Sequence, residues 1–487
     1  MDQLSPSMTL ARPLPFAPEQ SEPLPWIQVA PGAPYFVAEN GAPWAPIGQN
    51  DAIEWIELNG LFRRRNLTAV EAHLRWLKAN GVTVLRLMLE YCHKRHRYFE
   101  GPVGTYKPNM VRLWDDLFDL CGRVGLRILL TPMDTFFQWN RWKKHPYNVK
   151  NGGPCADRSR LMVCSETRKL IKARLAFATE RWGNSGVLFA WDLWNEMHPA
   201  QGNNEHDCFG RYIEDVGPWL RDLEMRLHGR AHLQTVSVFG PELGWKPWLN
   251  EPIFRHPLLD FANSHFYEEG TIDDPKDTVA PAISTGRLVR EALAEIHDGR
   301  PFFDTEHGPI HTFKDHHKTL PEAFDDEYFR HMQWAHFSSG GAGGGMRWPN
   351  RHPHALTSGM RKAQKGLADF LPLIDWPRFR RRNLHGEIAL DTRAFYTFAC
   401  GDPAQAVIWL LRRTQIGFDG RVKRAAPALR VRVKVPGLEF GRYRVTFWNT
   451  EAGLAVAGED LAHDGGMLAF TTPPCVTDLA VAIRRMS

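Results

Sequence analysis

Two glutamates stand out by what precedes them. Glu196 closes the run LFAWDLWNE and Glu306 closes PFFDTE, so each carboxyl group ends a stretch that is nearly uncharged and rich in aromatics. Apolar surroundings disfavour the ionised form and move a carboxyl pKa toward neutrality, which suits a group that must give or take a proton. Two such groups about 5–5.5 Å apart can break a glycosidic bond with retention, one protonating the leaving oxygen and the other attacking the anomeric carbon. A single strand-end glutamate is more commonly an ion-paired or solvated residue, so the pair carries meaning only if the fold brings its members together.

The elements between them supply that fold. Thr68 and Glu71 read as a capping box opening a helix whose Val70, Leu74 and Leu77 share one face; Gly81 stops it, and VTVLRLML follows as a buried strand. The same helix-then-strand order recurs in LWDDLFDLCGRVG with LRILLTPMD, in TRKLIKARLAFATERWG with LFAWDLWNE, and in GPWLRDLEMRLHG with LQTVSVFG. It continues through DFANSHFYEEG, GRLVREALAEIHDG with RPFFDTEHGP, and FDDEYFRHMQWAHFSSG with GAGGGMRWPN. Counted from a first strand ending at Asn50, eight strands alternate with helices over roughly 330 residues, the pattern of a (β/α)8 TIM barrel with insertions. No GxGxxG follows an early strand, which argues against an open doubly wound sheet. Ahead of the barrel, WIQVAPGAPYFVAENGAPW reads as a hairpin turning at Asn40-Gly41.

Past Leu371 the period changes to two. AVIWLLRR, LRVRVKV, YRVTFWNT, MLAFTTPP and DLAVAIRR are strands without intervening helices, an antiparallel β-sandwich expected to pack on the barrel and stabilise it. The expected organisation is a tail over 1–25, a barrel over 26–382 and a sandwich over 383–487.

A TIM barrel places its active site at the C-terminal strand ends. The polar residues there are Asn50, then Arg86 and Glu90, Asp134, Asn195 with Glu196, His265 with Tyr267, Asp304 with Glu306, and Arg347 with Trp348. Asn50 and Asp134 have a second reading, as residues that satisfy backbone groups where a loop begins. Trp139 and Trp142 lie in an insertion after the third strand and are candidates for a cleft wall.

The ordered set WDLWNEMHP, SHFYE, FFDTEHG and Trp348 resembles clan A of the glycoside hydrolases, most of all glycoside hydrolase family 5, across residues 26–372. The C-terminal part, with GRYRVTFWNTEAG, is similar to the small β-sandwiches that follow such barrels. The resemblance implies a retaining hydrolase of β-linked, equatorial glycosides, with Glu196 as acid/base and Glu306 as nucleophile. It further implies that Asn195 bonds the sugar 2-hydroxyl, that Tyr267 and Arg86 hold Glu306 ionised, that His265 lines the floor, and that Trp348 stacks on a pyranose ring. With Asn195, Arg86, His265, Tyr267 and Trp348, Asn50 completes the expected substrate-binding set. The implied partner is a glycoside or oligosaccharide, and no cofactor is needed. Two other classes fit a barrel of this kind: a carbohydrate-binding protein without turnover, and a metal-dependent sugar isomerase.

Composition narrows the field. With 43% hydrophobic and 24% charged residues the chain has ample core material, and 60 Lys plus Arg against 55 Asp plus Glu, a net +5, are spread without long single-sign blocks. Nucleic acid is not an expected partner. The start, MDQLSPSMTLARPLPFAPEQ, shows neither a signal-peptide pattern nor an apolar span, so the expectation is a cytoplasmic chain that does not enter a membrane. Seven cysteines without a CxxC pair read as free thiols, although Cys155 and Cys164 flank a polar loop that a disulfide would close. His307, His311, His316 and His317 lack metal-site spacing, and the glycines from Gly340 to Gly345 lack the GK[ST] of a phosphate loop. The basic, aromatic segment EYCHKRHRYFEG is a solvated loop or a contact for a charged sugar.

Overall fold

The computed structural model describes residues 23–90, 98–310, 320–349 and 356–486. Most of the expected tail, the middle of the basic loop, and His311, His316 and His317 lie outside them. Leu24 is already packed against the barrel core.

The chain opens with an antiparallel sheet of β1 (Ile27–Val29), β2 (Phe36–Ala38) and β3 (Pro43–Trp44). Its turn falls at Asn40-Gly41, where Gly41 takes φ +84° and the Asn40 carboxamide oxygen accepts from Ala42 N.

Eight parallel strands follow: β4 (Gly48–Asp51), β5 (Val84–Met88), β6 (Arg127–Thr131), β7 (Leu188–Asp192), β8 (Leu233–Thr235), β9 (His265–Phe266), β10 (Glu306–His307) and β11 (Met346–Arg347). They pair in the order β8-β7-β6-β5-β4-β11-β10-β9. A parallel bridge from Phe239, just past β8, to His265 joins the two ends and closes the barrel. Around it lie α1 (Leu67–Ala79), α2 (Pro108–Val124), α3 (Thr135–Arg141), α4 (Ser165–Trp182), α5 (Cys208–His228), α6 (Pro241–Trp245), α7 (Ala280–Glu295), α8 (Glu322–Ser338) and α9 (Ser358–Phe370). Strands covered on both faces must be apolar on both, which is why VLRLM, RILLT and LFAWD read as near-continuous hydrophobic runs. One local expectation is corrected. The N-cap of α1 is Asn66, whose side chain accepts from Ala69 N at 3.0 Å, while Glu71 takes Arg75 and Arg123 instead of closing a capping box with Thr68.

The N-terminal hairpin acts as a plug. Phe36 of β2 meets Phe189, Phe261 and Phe303 edge-on at 5.3, 5.5 and 6.1 Å, sealing the end of the barrel where the strands begin. Polar side chains therefore gather at the other end.

The remaining strands are β12 (Arg382–Asn383), β13 (Ala389–Leu390), β14 (Phe395–Gly401), β15 (Gln405–Arg412), β16 (Arg432–Val435), β17 (Gly441–Asn449), β18 (Leu454–His463), β19 (Leu468–Thr471) and β20 (Asp478–Arg485). They form a sheet ordered β12-β14-β15-β20-β17-β18 and a second ordered β13-β16-β19, all antiparallel. Strand β15 divides by parity: Ile408 and Leu410 join the core between the sheets, whereas Val407, Trp409 and Leu411 join the barrel-side core with Trp334 and Phe370. Two buried carboxylates pin the contact. Asp478 accepts from Arg330 at 3.2 Å and from Trp409 Nε1 at 3.1 Å; Glu327 accepts from Thr278 at 2.8 Å, Val422 N at 2.9 Å and Arg424 at 3.0 Å. Among the described residues Cys155 and Cys164 are free thiols, and no helix is long and apolar enough to cross a membrane.

Candidate active site

The site is built on Arg86. On β5 it points into the barrel and is fully buried, so every N–H of its guanidinium needs a partner. Nη1 donates to Asn50 Oδ1 at 2.8 Å and Glu306 Oε2 at 3.0 Å; Nε and Nη2 donate to Asp192 Oδ2 at 3.3 and 2.8 Å; Nη2 also reaches Asn195 Oδ1. One side chain thus ties β4, β7 and β10 together. It donates to Glu306 from within the barrel and is buried below the cleft, so the expectation that Arg86 itself contacts substrate is corrected.

Asn50 is corrected. Its carboxamide accepts from Arg86, donates to Thr305 O at 2.8 Å and is 1% exposed, so it braces the guanidinium and cannot contact a substrate. Its inward direction follows from strand parity; its depth below the mouth does not.

Glu306 opens β10, in register with His265 on β9. Its Oε1 accepts from the Tyr267 phenol at 2.8 Å and its Oε2 from Arg86. Burial pushes this carboxyl up to about 7; the neighbouring Glu196 adds to the rise, while His265, Arg86 and the Tyr267 hydrogen bond oppose it. Glu196 is likewise pushed up to about 7, first by burial and then by Asp192, against Arg86. Its side chain is 18% exposed, which opens it to the cleft. Its oxygen, one of Glu306 and a His265 ring nitrogen all lie within 4.8 Å of one another.

Two residues that the sequence reading did not single out hold Glu196 in place. Its backbone takes φ +47°, a left-handed conformation costly for a residue with a Cβ, and its N–H donates to Ser237 Oγ at 3.1 Å. The serine hydroxyl in turn donates to Asp192 at 3.0 Å. His265 sits with Nδ1 2.9 Å from Glu196 Oε1 and Nε2 3.1 Å from Thr305 Oγ1. Burial lowers its pKa to about 4, so the ring is neutral at pH 7.

Asn195 accepts from Arg86 and donates to Asp134 Oδ1 at 2.7 Å, leaving one amide N–H to offer a ligand. Asp134 also caps α3 through Phe136 N and Phe137 N, the backbone role open to it from sequence. Trp348 stands at the mouth with its ring 5.3 Å from Trp55, in a small cluster with Ala52 and Met88. Trp139, half-buried, meets His198 edge-on at 4.5 Å beside Glu196, whereas Trp142 packs against the barrel core. Glu90, Asp304 and Arg347 are held by protein groups: Arg174 for Glu90, His307 for Asp304, Asp325 for Arg347.

Glu196, His265 and Glu306 also form the compact carboxylate and imidazole set found among the described residues, which sequence spacing could not reveal because three separate strands contribute. The Arg86 guanidinium 3.0 Å from Glu306 Oε2 sets a fixed positive charge against a cation there.

A closed barrel with two carboxyl groups at its mouth and a sandwich behind it defines a class, and solved structures agree on the fold. The chain is similar to a glycoside hydrolase with TM-score 0.58 and 14% identity, over 95% of this chain and 97% of that one. It is similar to a glycoside hydrolase family 5 protein from Bacteroides vulgatus with TM-score 0.59 and 14% identity, over 94% of each chain. An endo-beta-1,4-mannanase from Thermotoga petrophila superposes with TM-score 0.50 and 13% identity, over 89% of this chain and 98% of that one. No protein-family model and no curated protein sequence matches the chain. The fold is that of family 5 glycoside hydrolases, in line with the ordered motifs.

Proposed function

We propose that the chain is a retaining glycoside hydrolase that cleaves β-linked, equatorial glycosides by double displacement. The observation that carries this reading is that one carboxyl oxygen of Glu196 and one of Glu306 lie within 4.8 Å of each other at the barrel mouth, an approach that suits the ~5–5.5 Å pair of a retaining enzyme better than the ~6.5–9.5 Å pair of an inverting one. Their partners divide the roles. Glu306 receives a cationic and a phenolic donor, which favour the carboxylate; Glu196 faces a neutral imidazole and the cleft, which favour the acid.

In the first step Glu306 Oε forms a bond to the anomeric carbon as the glycosidic C–O bond breaks, and the Glu196 proton goes to the leaving oxygen. In the second, water gives a proton to Glu196 while its oxygen displaces Glu306 from the sugar. Asn195 donates its remaining N–H to the 2-hydroxyl, and Trp348 offers a flat apolar face to the ring. The resident groups supply all of this without a cofactor. The sandwich buries Trp409 and Phe398 against the barrel and acts as a structural partner to it; the division at 26–382 and 383–487 belongs to this proposal.

The test is covalent trapping. A 2-fluoro β-glycoside with an activated leaving group should label Glu306, and Glu306→Ala and Glu196→Ala should each lower kcat by several orders of magnitude. Azide should restore Glu196→Ala with a β-glycosyl azide and Glu306→Ala with the α-anomer. A label on another residue, or full turnover by either variant, would overturn the assignment.

A further inference from the structure

We propose that Asn263 and Thr305 fix the tautomer of His265, so that its Nδ1 accepts a hydrogen bond from protonated Glu196; both are positioning residues for the acid/base. The proposal rests on the glycosidase reading of Glu196.

Hydrogens can be counted along a buried chain of contacts. Asn263, Thr305 and His265 have no measurable exposure, so they lie out of contact with bulk solvent. With the Asn263 carboxamide in this orientation, which leaves its buried Nδ2 without a partner among the described residues, Thr305 Oγ1 donates to Oδ1 at 2.7 Å. A hydroxyl has one hydrogen, and once it is committed to a carboxamide oxygen the same oxygen can only accept from its other neighbour. That neighbour is His265 Nε2 at 3.1 Å, which therefore carries the ring's hydrogen. A neutral imidazole has one N–H, so Nδ1 holds a lone pair. It lies 2.9 Å from Glu196 Oε1, a separation that two acceptors would not tolerate, and the hydrogen between them belongs to the carboxyl group.

The consequence is chemical. Glu306, the second carboxyl group near Nδ1, stands at 3.7 Å and is already supplied by Arg86 and Tyr267. The relay therefore acts on Glu196 alone, stabilising the protonated state an acid catalyst needs before the leaving group departs. The opposite polarity, with Thr305 donating to Nε2, would place an N–H on Nδ1 and hold Glu196 as a carboxylate. Burial depressing the His265 pKa works in the same direction, because an imidazolium would donate from both nitrogens.

Thr305→Val keeps the shape of the side chain and removes the hydroxyl. Long-range proton–nitrogen spectra of the full chain labelled with 15N-histidine, with His265 assigned by its loss in His265→Gln, should show hydrogen on Nε2 in the wild type and a shift toward Nδ1 in Thr305→Val. Kinetically, Thr305→Val should lower kcat/KM about tenfold for alkyl glycosides, whose departure needs the acid, and less than twofold for dinitrophenyl glycosides, which depart unaided. Its alkaline limb should move to lower pH, and Thr305→Ser should restore both. Hydrogen on Nδ1 in the wild type, or an equal loss with both leaving groups and an unmoved limb, would overturn the proposal. Absence of glycoside turnover and of 2-fluoro labelling in the wild type would instead overturn the reading beneath it, while the spectrum reads the tautomer independently of turnover.

Discussion

Tyr267 donates its phenolic hydrogen to Glu306 Oε1 over 2.8 Å, from the residue after β9, the strand that pairs with the glutamate's own. A buried hydrogen bond to an ionised carboxylate contributes about 1.5–3 kcal/mol, so Tyr267→Phe should lower kcat/KM by roughly 10- to 150-fold. The direction on pH follows. The donor favours the ionised form of Glu306, so its loss raises that pKa and moves the acid limb of the profile to higher pH. A kcat/KM series in overlapping buffers checks both.

Burial places both carboxyl groups near 7, and two groups this close titrate as a pair. In the proposed mechanism the active form has one proton, on Glu196. The kcat/KM profile should therefore be a bell around neutral pH, rising as the pair loses its first proton and falling as it loses the second. Glu196→Gln cannot lose the second. Assayed with a dinitrophenyl glycoside, it should keep the acid limb and lack the alkaline one.

How much of this is legible in the sequence follows from what each residue has to reveal. Glu196, Glu306, His265 and Tyr267 close runs of largely apolar sequence, and a barrel sends the ends of such runs to one rim, so sequence order alone picks them out as candidates. Ser237, Asp192, Thr305 and Asn263 are small polar residues inside or beside barrel strands; their importance lies in partners that other strands contribute. Asn50 departs from its expected role for a related reason: parity gives a side chain's face but not whether the rim or the layer beneath it receives the side chain. In the sandwich, β15 and β20 announce themselves by burial, while β18 lies at the sheet edge with most of its residues exposed and has no apolar face to mark it.

Ser237 should matter to rate more than to binding. Its hydroxyl accepts from the Glu196 backbone N–H, where the chain holds a left-handed turn against its own preference. Ser237→Ala leaves that N–H without its acceptor and frees Glu196 to relax, misplacing the acid by a fraction of an ångström. We expect kcat to fall about tenfold with KM within a factor of two, checked by steady-state kinetics on an alkyl glycoside.

Trp348 should show the reverse. Its ring is held against Trp55 at the mouth, and in the proposed mechanism its contribution is to hold the sugar. Trp348→Ala should raise KM about tenfold, the equivalent of ~1.4 kcal/mol of lost contact, with a smaller change in kcat for dinitrophenyl glycosides.

Asp478 tests whether the sandwich stabilises the barrel. Burial opposes ionisation of this carboxyl, yet Arg330, His331, Thr450 and Trp409 outweigh it and hold the pKa well below the usual carboxylate range. Arg330 and His331 belong to α8 of the barrel and Asp478 to β20, so the charge is neutralised across the contact. Removing one partner of a buried pair leaves the other uncompensated, and Asp478→Ala should cost about 3–5 kcal/mol in unfolding experiments, with turnover unchanged well below the transition. The pH dependence has a definite sign. A depressed folded-state pKa adds stability that is complete above the unfolded value of about 4 and is lost as pH falls toward the folded one. The wild type should therefore lose Tm steeply below pH ~4, whereas Asp478→Asn, which lacks the titrating group, should start lower and fall less over the same interval. Parallel slopes for the two proteins would mean that the charge across this contact does not hold the sandwich to the barrel.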